Sequence, residues 1–214
     1  MSHAPCAALL ALIVACVAPP VSAGATEIRV TDQTGRPLPN AVVFLEAIGA
    51  RPAMAPKPAI IQQINKQFMP MVTVVQTGSA VSFPNNDTVR HQVYSFSPTK
   101  VFELRLYAGV PQSPIVFDKA GTVVLGCNIH DRMVAYLQVV DTPYFAKTDV
   151  GGEAIIDGVA PGSYRLRSWH YAQAEASADQ VVAIKAEASA FALRLSIKDQ
   201  ASNGVALPVG PISQ

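Results

Sequence analysis

The sequence lacks most of the motifs by which common enzymes are recognised. Of its 214 residues only three are cysteine, four are histidine and one is tryptophan. No glycine-rich phosphate loop leads from a strand into a helix, no serine-nucleophile motif occurs and no His-Glu-x-x-His zinc motif is present. These absences argue against the nucleotide-binding, serine-hydrolase and metallopeptidase classes.

An excess of charge of either sign is also missing. Lys and Arg total 16 and Asp and Glu total 15, which gives a formal net charge of +1. Proteins that bind nucleic acid or anionic membranes usually carry a strong basic excess. We therefore expect neither nucleic acid nor a membrane surface as a partner.

Charged residues are entirely absent from residues 1–23, where Ala7 to Val17 form a small, apolar run. The run is too short to span a bilayer and is followed by Val21-Ser22-Ala23, so residues 1–23 are predicted to be a secretory signal peptide. An alternative is lipoprotein-type processing at Cys16, which would leave the protein tethered by a lipid. No later segment is a transmembrane candidate.

Cleavage after Ala23 removes Cys6 and Cys16 and leaves Cys127 as the only cysteine. A lone cysteine cannot form an intrachain disulfide, and an unpaired thiol is a liability in an oxidising compartment unless something occupies it. Cys127 opens the run Cys127-Asn128-Ile129-His130-Asp131-Arg132-Met133, and His91 lies upstream. A thiolate, two imidazoles and a thioether are the ligand set of a type 1, or blue, copper site.

The spacing of these residues suits the chemistry. Ligands at three-residue steps on one tight loop can converge on one ion, while His91 completes the set from another strand. We predict one copper ion, bound by His91, Cys127, His130 and Met133. Zinc is a competitor for two histidines and a cysteine, but the thioether favours copper. Four protein ligands leave no open position for a substrate, so we do not expect an enzyme.

Asp87 and His170 are two further residues whose side chains could take part in such a site. Asp87, close to His91 in sequence, either orients that ring or belongs to a turn after a strand. His170, at the end of a predicted strand, is interpreted as structural.

The apolar pattern has a period of two along most of the chain, which predicts short strands and an all-β fold. Phe102, Leu104 and Leu106 alternate with Glu103, Arg105 and Tyr107, which predicts a strand with one buried face. The strands predicted around the copper ligands are 59–63, 72–75, 80–83, 115–117, 123–125 and 134–140.

Residues 57–141 resemble the cupredoxins, in particular amicyanin, pseudoazurin and plastocyanin. The resemblance rests on the order of Gly78 to Phe83, Asn86-Asp87, His91, Phe117-x-x-x-Gly121 and Cys127-x-x-His130-x-x-Met133. It implies a Greek-key β-sandwich, with two histidines and Cys127 as the strong ligands and Met133 as the weak axial one. Arg90 and Gln92 stand where the family commonly has Pro and Asn. The whole chain is also similar to periplasmic cupredoxin-domain proteins labelled methylamine utilisation proteins, which implies a periplasmic location.

The stretch Ile28 to Glu46 contains Val30-Thr31-Asp32-x-x-Gly35-x-Pro37, and Thr148 to Leu166 contains Thr148-Asp149-x-x-Gly152 and Pro161-Gly162. Together the two stretches resemble the opening and closing parts of a transthyretin-like or carboxypeptidase-regulatory β-sandwich. The expected organisation is a signal peptide at 1–23, a copper domain at 57–141 and a second sandwich built from 26–50 and 144–198. This second sandwich is interrupted by the copper domain. In a simpler tandem version, the N-terminal strands form a hairpin that belongs to the copper domain, and the C-terminal part is a separate module. Residues 199–214 lack a pattern and are predicted to be disordered.

Together these observations predict an exported, monomeric copper protein that passes single electrons between redox protein partners. One alternative is a protein that stores or delivers copper. Another is a sandwich that acts as a scaffold, with a copper site that is not used for redox chemistry.

Overall fold

The computed structural model describes residues 24–49, 54–111 and 113–198, and in these ranges every regular element is a β-strand. The prediction of an all-β fold is confirmed. The described part of the chain contains no helix that could cross a membrane. Residues 1–23, which are predicted to be a signal peptide and include Cys16, and the predicted disordered tail at 199–214 lie outside the described residues. The strands are β1 Thr26–Asp32, β2 Val42–Ala47, β3 Ala59–Ile60, β4 Gln62–Ile64, β5 Gln67–Met69, β6 Val72–Gln76, β7 Ser79–Ser82, β8 His91–Ser97, β9 Lys100–Tyr107, β10 Ile115–Phe117, β11 Gly121–Gly126, β12 Val134–Val140, β13 Phe145–Lys147, β14 Glu153–Ile156, β15 Gly162–Trp169, β16 Gln180–Ile184 and β17 Ser189–Leu195.

Strands β3 to β12 form the first sandwich. A five-stranded sheet in the order β6-β12-β11-β8-β9 and a three-stranded sheet in the order β10-β7-β3 supply its two layers, and β4 and β5 form a hairpin beside them. Alternate residues of β12, such as Ala135, Leu137 and Val139, point into the core because successive strand side chains face opposite sides. The aromatic side chains of Phe68, Phe83 and Phe117 fill the same core.

A β-bulge changes the buried face of β9 near its end. His91 pairs with Tyr107 and Val93 pairs with Leu104, so two steps along β8 correspond to three along β9. The extra residue reverses the alternation. The prediction that Leu106 faces inward is therefore wrong, since Leu106 is 51% exposed and Tyr107 packs against the core instead.

Tyr107 makes use of this inward position. Its hydroxyl donates a hydrogen bond to the carbonyl oxygen of Phe83 and accepts one from the Gln63 amide. Burial raises the pKa of Tyr107 to about 12, so the phenol is neutral and donates this bond at physiological pH. The bulge thereby ties the end of β9 to the chain just after β7.

The second sandwich is built from strands that precede and follow the first sandwich in the sequence. β1 pairs in parallel with β17 and antiparallel with β14, while β2 lies between β13 and β15. Thr26, Ile28 and Val30 alternate into a core that is separate from the first. Gly152 lies against the backbone of β1. Its φ is +74°, and a Cβ there would lie 2.5 Å from the Val30 carbonyl oxygen, so only glycine fits.

A third apolar cluster joins the two sandwiches. Val42 and Phe44 of β2 meet Val72 of β6 and Val140 of β12 there. The rings of Tyr136 and Tyr171 stack across the boundary, with centroids 5.0 Å apart. The Lys147 ammonium also donates a hydrogen bond of 2.9 Å to the Val72 carbonyl oxygen. The face of β6 and β12 that points away from the core of the first sandwich is thus covered by the second sandwich.

Candidate metal centre

The loop between β11 and β12 consists of two consecutive tight turns. The His130 amide donates to the Cys127 carbonyl oxygen at 3.4 Å, and the Met133 amide donates to the His130 carbonyl oxygen at 2.9 Å. Each bond joins residues three apart, which is the pattern of a β-turn. Cys127, His130 and Met133 therefore stand at the ends of the two turns, and this explains physically why they are separated by two residues each.

Three of the residues selected from the sequence come together in space. The ligand atoms of His91, Cys127 and His130 all lie within 4.8 Å of one another. The Cys127 Sγ is 3.9 Å from the His91 Nδ1 and also 3.9 Å from the His130 Nδ1. The imidazole rings meet edge to face, with centroids 4.9 Å apart. Both histidines thus offer the same ring nitrogen to the same point.

These separations suit one metal ion. If an ion lay about 2.0 Å from each nitrogen and about 2.3 Å from the sulfur, at trigonal angles, the sulfur–nitrogen distances would be about 3.7 Å. The observed 3.9 Å agrees with that value. The two sulfur–nitrogen distances are therefore compatible with one metal ion held by these three side chains.

Met133 is the last residue of the loop before β12, and its side chain lies in the core. It is fully buried and belongs to the same apolar cluster as Cys127. A thioether in that place contributes packing in any case, because methionine is a common core residue. It ends the second turn, three residues after His130 and six after Cys127 along the chain.

The four side chains differ in exposure. His91, Cys127 and Met133 are at most 1% exposed, whereas His130 is half-buried. The neighbours of His130 on the loop, which are Asn128, Ile129, Asp131 and Arg132, are all exposed. The surface around the one accessible imidazole is therefore mixed in polarity, as its sequence indicated.

Asp87 contacts the buried histidine directly. Its Oδ2 lies 2.7 Å from the His91 Nε2, on the opposite side of the ring from Cys127. Oδ1 accepts the Asn65 amide and Oδ2 accepts the Lys66 amide, at 2.6 and 2.9 Å. Asp87 therefore contacts the His91 ring and also accepts hydrogen bonds from the turn between β4 and β5.

The ionisation of Asp87 follows from these contacts. Partial burial disfavours the charged form, but the hydrogen bonds from Lys66, His91 and Asn65 together outweigh that effect and hold the pKa of Asp87 below its usual range. Asp87 is therefore a carboxylate, which can only accept hydrogen bonds.

The residue before the cysteine is glycine because an aromatic ring occupies the space beside it. Gly126 of β11 pairs with Tyr94 of β8, and a Cβ on Gly126 would lie 2.7 Å from the Tyr94 Cζ. The Tyr94 ring in turn packs against Phe96, with centroids 5.1 Å apart. The contact was not visible in the sequence, where Tyr94 and Gly126 are 32 positions apart, although a glycine inside a strand often signals a close approach.

His170 lies elsewhere. It is buried at the end of β15, where its Nδ1 accepts the Ala172 amide at 3.2 Å and its ring packs on Tyr171. Among the described residues, the group with converging ligand atoms contains His91, Cys127 and His130 but not His170. The structural interpretation of His170 agrees with this placement.

Comparison with known proteins gives matches among solved structures only: no protein-family model matches the chain, and no curated protein does. A purple cupredoxin from Nitrosopumilus maritimus is 21% identical, with a TM-score of 0.35 over 38% of this chain and 99% of the other. Amicyanin from Paracoccus versutus is 16% identical, with a TM-score of 0.33 over 46% of this chain and 97% of its own.

A copper-containing nitrite reductase from Thermus scotoductus is 24% identical, with a TM-score of 0.37 over 54% of this chain. The match spans only 28% of that enzyme.

Proposed function

We propose that this protein is an exported, mononuclear type 1 copper protein that carries single electrons. His91, Cys127 and His130 would be the strong ligands and Met133 the weak axial one. The observation that carries the proposal is the convergence of two Nδ1 atoms on one sulfur at 3.9 Å.

The donor set favours copper over other first-row ions. Sulfur donors stabilise Cu(I), imidazoles suit both oxidation states, and a trigonal group with a distant thioether is the geometry of blue-copper sites. When bound there, copper would supply a one-electron Cu(II)/Cu(I) couple. The residues around it would keep the ligand geometry nearly unchanged between the two states, because three of the four side chains are packed in the core.

Burial supports a carrier rather than a delivery protein. A protein that hands over Cu(I) must expose its ligands to an acceptor, whereas here only His130 reaches the surface. The exposed edge of His130 is the shortest connection between the cluster and a docked partner. We propose that electrons are exchanged there with redox proteins, across a surface formed by Asn128, Ile129, Asp131 and Arg132.

The domain organisation belongs to the same proposal. We propose a copper domain at 57–141, inserted into a second sandwich made of 26–50 and 144–198. The pairing of β1 with β17 and of β2 with β15 supports the insertion, as do the two separate cores. A periplasmic location, a monomeric state and removal of residues 1–23 complete the proposal.

A redox-cycling experiment tests the carrier function. Copper-loaded protein would be reduced and reoxidised repeatedly in the presence of a Cu(I) chelator, and bound copper would be measured after each cycle. A carrier retains the metal and exchanges electrons rapidly with a small inorganic oxidant. Progressive loss of copper to the chelator at the reduced stage would contradict the proposal and favour delivery. The variant His170→Gln serves as a histidine control and is expected to behave as the unaltered protein.

A further inference from the structure

We infer that Asp87 is a positioning residue for the metal centre. Its carboxylate fixes the tautomer and orientation of His91 and lowers the reduction potential of the bound ion. The effect on the His91 tautomer is a property of the metal-free protein. Only the effect on the reduction potential rests on the proposed function.

The tautomer follows from hydrogen-bond chemistry. A carboxylate can only accept, so the His91 Nε2 at 2.7 Å from Asp87 Oδ2 must carry the proton. The lone pair of a neutral imidazole is then left on Nδ1, the atom that lies 3.9 Å from the Cys127 sulfur. His91 is fully buried, so water does not compete for either nitrogen. The His91 ring is thus preorganised for metal binding through Nδ1 in the metal-free protein.

Asp87 is itself held from several directions. The amides of Asn65 and Lys66 both point at its carboxylate. Its own amide donates to the Asn85 side-chain oxygen at 3.0 Å. Asn85 is buried and donates in turn to the carbonyl oxygens of Val89 and Tyr107. The carboxylate is thus part of a connected network that leaves it little freedom to turn away from His91.

The Asn65–Lys66 turn indicates that this placement is specific. Both residues have a positive φ, +53° and +56°, as in the two-residue turns that join antiparallel strands. Glycine is preferred at such positions, and lysine is disfavoured there. Here the turn directs two adjacent amides at one carboxylate, which compensates for the unfavourable lysine conformation and couples the β4–β5 hairpin to His91.

An asparagine at position 87 could not reproduce these contacts. With its single oxygen placed at Oδ2, the amide nitrogen would face the Asn65 N–H, and two donors would meet. With the side chain flipped, the amide nitrogen would face both the Lys66 N–H and the His91 Nε2, which favours the wrong tautomer for binding through Nδ1. Either arrangement loses part of the support for His91.

The charge of Asp87 should also act on the bound ion. A carboxylate hydrogen-bonded to a ligand imidazole increases the basicity of the ring, and its negative charge stabilises the more positive oxidation state. Asp87→Asn should therefore weaken Cu(II) binding relative to Cu(I) by about tenfold. For a one-electron couple this corresponds to an increase in the potential of about 59 mV.

The first test uses metal-free protein and nitrogen-15 NMR of the histidine side chains. The unaltered protein should show His91 as the Nε2–H tautomer, with a proton that exchanges slowly. In Asp87→Ala the signal should move towards a mixture of tautomers. If His91 keeps the Nε2–H tautomer in Asp87→Ala to the same degree, the inference is wrong.

The second test compares midpoint potentials of copper-loaded Asp87→Asn and Asp118→Asn. Asp118 follows β10 and pairs with Lys100 at the start of β9, which is the end of that strand away from the cluster. Its removal therefore changes the net charge equally without contact with His91. The inference requires a higher potential for Asp87→Asn alone, and equal potentials for the two variants would overturn it. If the unaltered protein forms no type 1 copper site, the proposed function fails, while the NMR result still decides the role of Asp87.

Discussion

The contact between Gly126 and Tyr94 leads to a quantitative prediction about the strand that ends at Cys127. In Gly126→Ala the new methyl group would lie 2.7 Å from Cζ and 2.8 Å from the hydroxyl oxygen of Tyr94. Carbon atoms pack best at about 3.5–4.0 Å, so the ring has to move by roughly 1 Å. The Tyr94 ring is half-buried and can shift towards solvent, although at the expense of its packing on Phe96.

The size of the effect can be estimated from its two parts. Overpacking of a fitted contact costs about 1–3 kcal/mol. Without the clash, alanine in place of glycine at a position of ordinary strand conformation would stabilise the protein by about 0.4–1 kcal/mol. Gly126→Ala should therefore destabilise the protein when Tyr94 is present and stabilise it in Tyr94→Ala. The glycine-to-alanine gain is common to both backgrounds and cancels, so the coupling free energy between the two sites should equal the overpacking cost, about 1–3 kcal/mol.

A double-mutant cycle measured by urea unfolding of the metal-free protein provides the assay. Tyr94→Phe is a matched control, because it keeps the ring carbon that clashes and should keep most of the destabilisation. A coupling free energy below about 0.5 kcal/mol, which is the limit for independent sites, would refute the packing argument.

Three further predictions concern the turn, the buried histidine and the axial ligand. Lys66→Gly should raise the free energy of unfolding by about 1 kcal/mol, because it relieves a left-handed lysine; an unchanged urea midpoint would contradict this. Burial lowers the pKa of His170, so the unfolded chain binds more protons below about pH 6.5 and stability falls as the pH drops through that region. His170→Gln should make this fall shallower in metal-free protein, and an unaltered pH profile would count against it. Met133→Gln should retain copper with a shifted potential, since only the weak ligand changes; complete loss of copper would mean that Met133 does more than tune the site.

The grouping of three of the four candidate residues could be predicted from the sequence because it is local. Cys127, His130 and Met133 lie on one loop, and their spacing of three follows from two consecutive turns. Period-two alternation similarly identified β12, whose observed bounds Val134–Val140 are those predicted. Patterns of this kind depend on neighbours in sequence, so a single chain is enough to recognise them.

Other features depend on contacts between distant segments. The bulge that turns Tyr107 inward in place of Leu106 is set by pairing with β8, and simple alternation cannot reveal it. The role of Asp87 requires that the β4–β5 turn lie against the start of β8, and the sequence does not specify that contact. The difference between the nested and tandem organisations likewise depends on whether β1 pairs with β17, and these strands are far apart in the sequence.

The most direct test of the account is a visible absorption spectrum of the mature, untagged protein during titration with Cu(II), followed by reduction. The account predicts one intense thiolate-to-copper charge-transfer band that saturates at one equivalent, disappears on reduction, returns on reoxidation and is absent in Cys127→Ser. If no such band forms, or if the same band persists in Cys127→Ser, the assignment of a type 1 copper centre to His91, Cys127, His130 and Met133 is wrong.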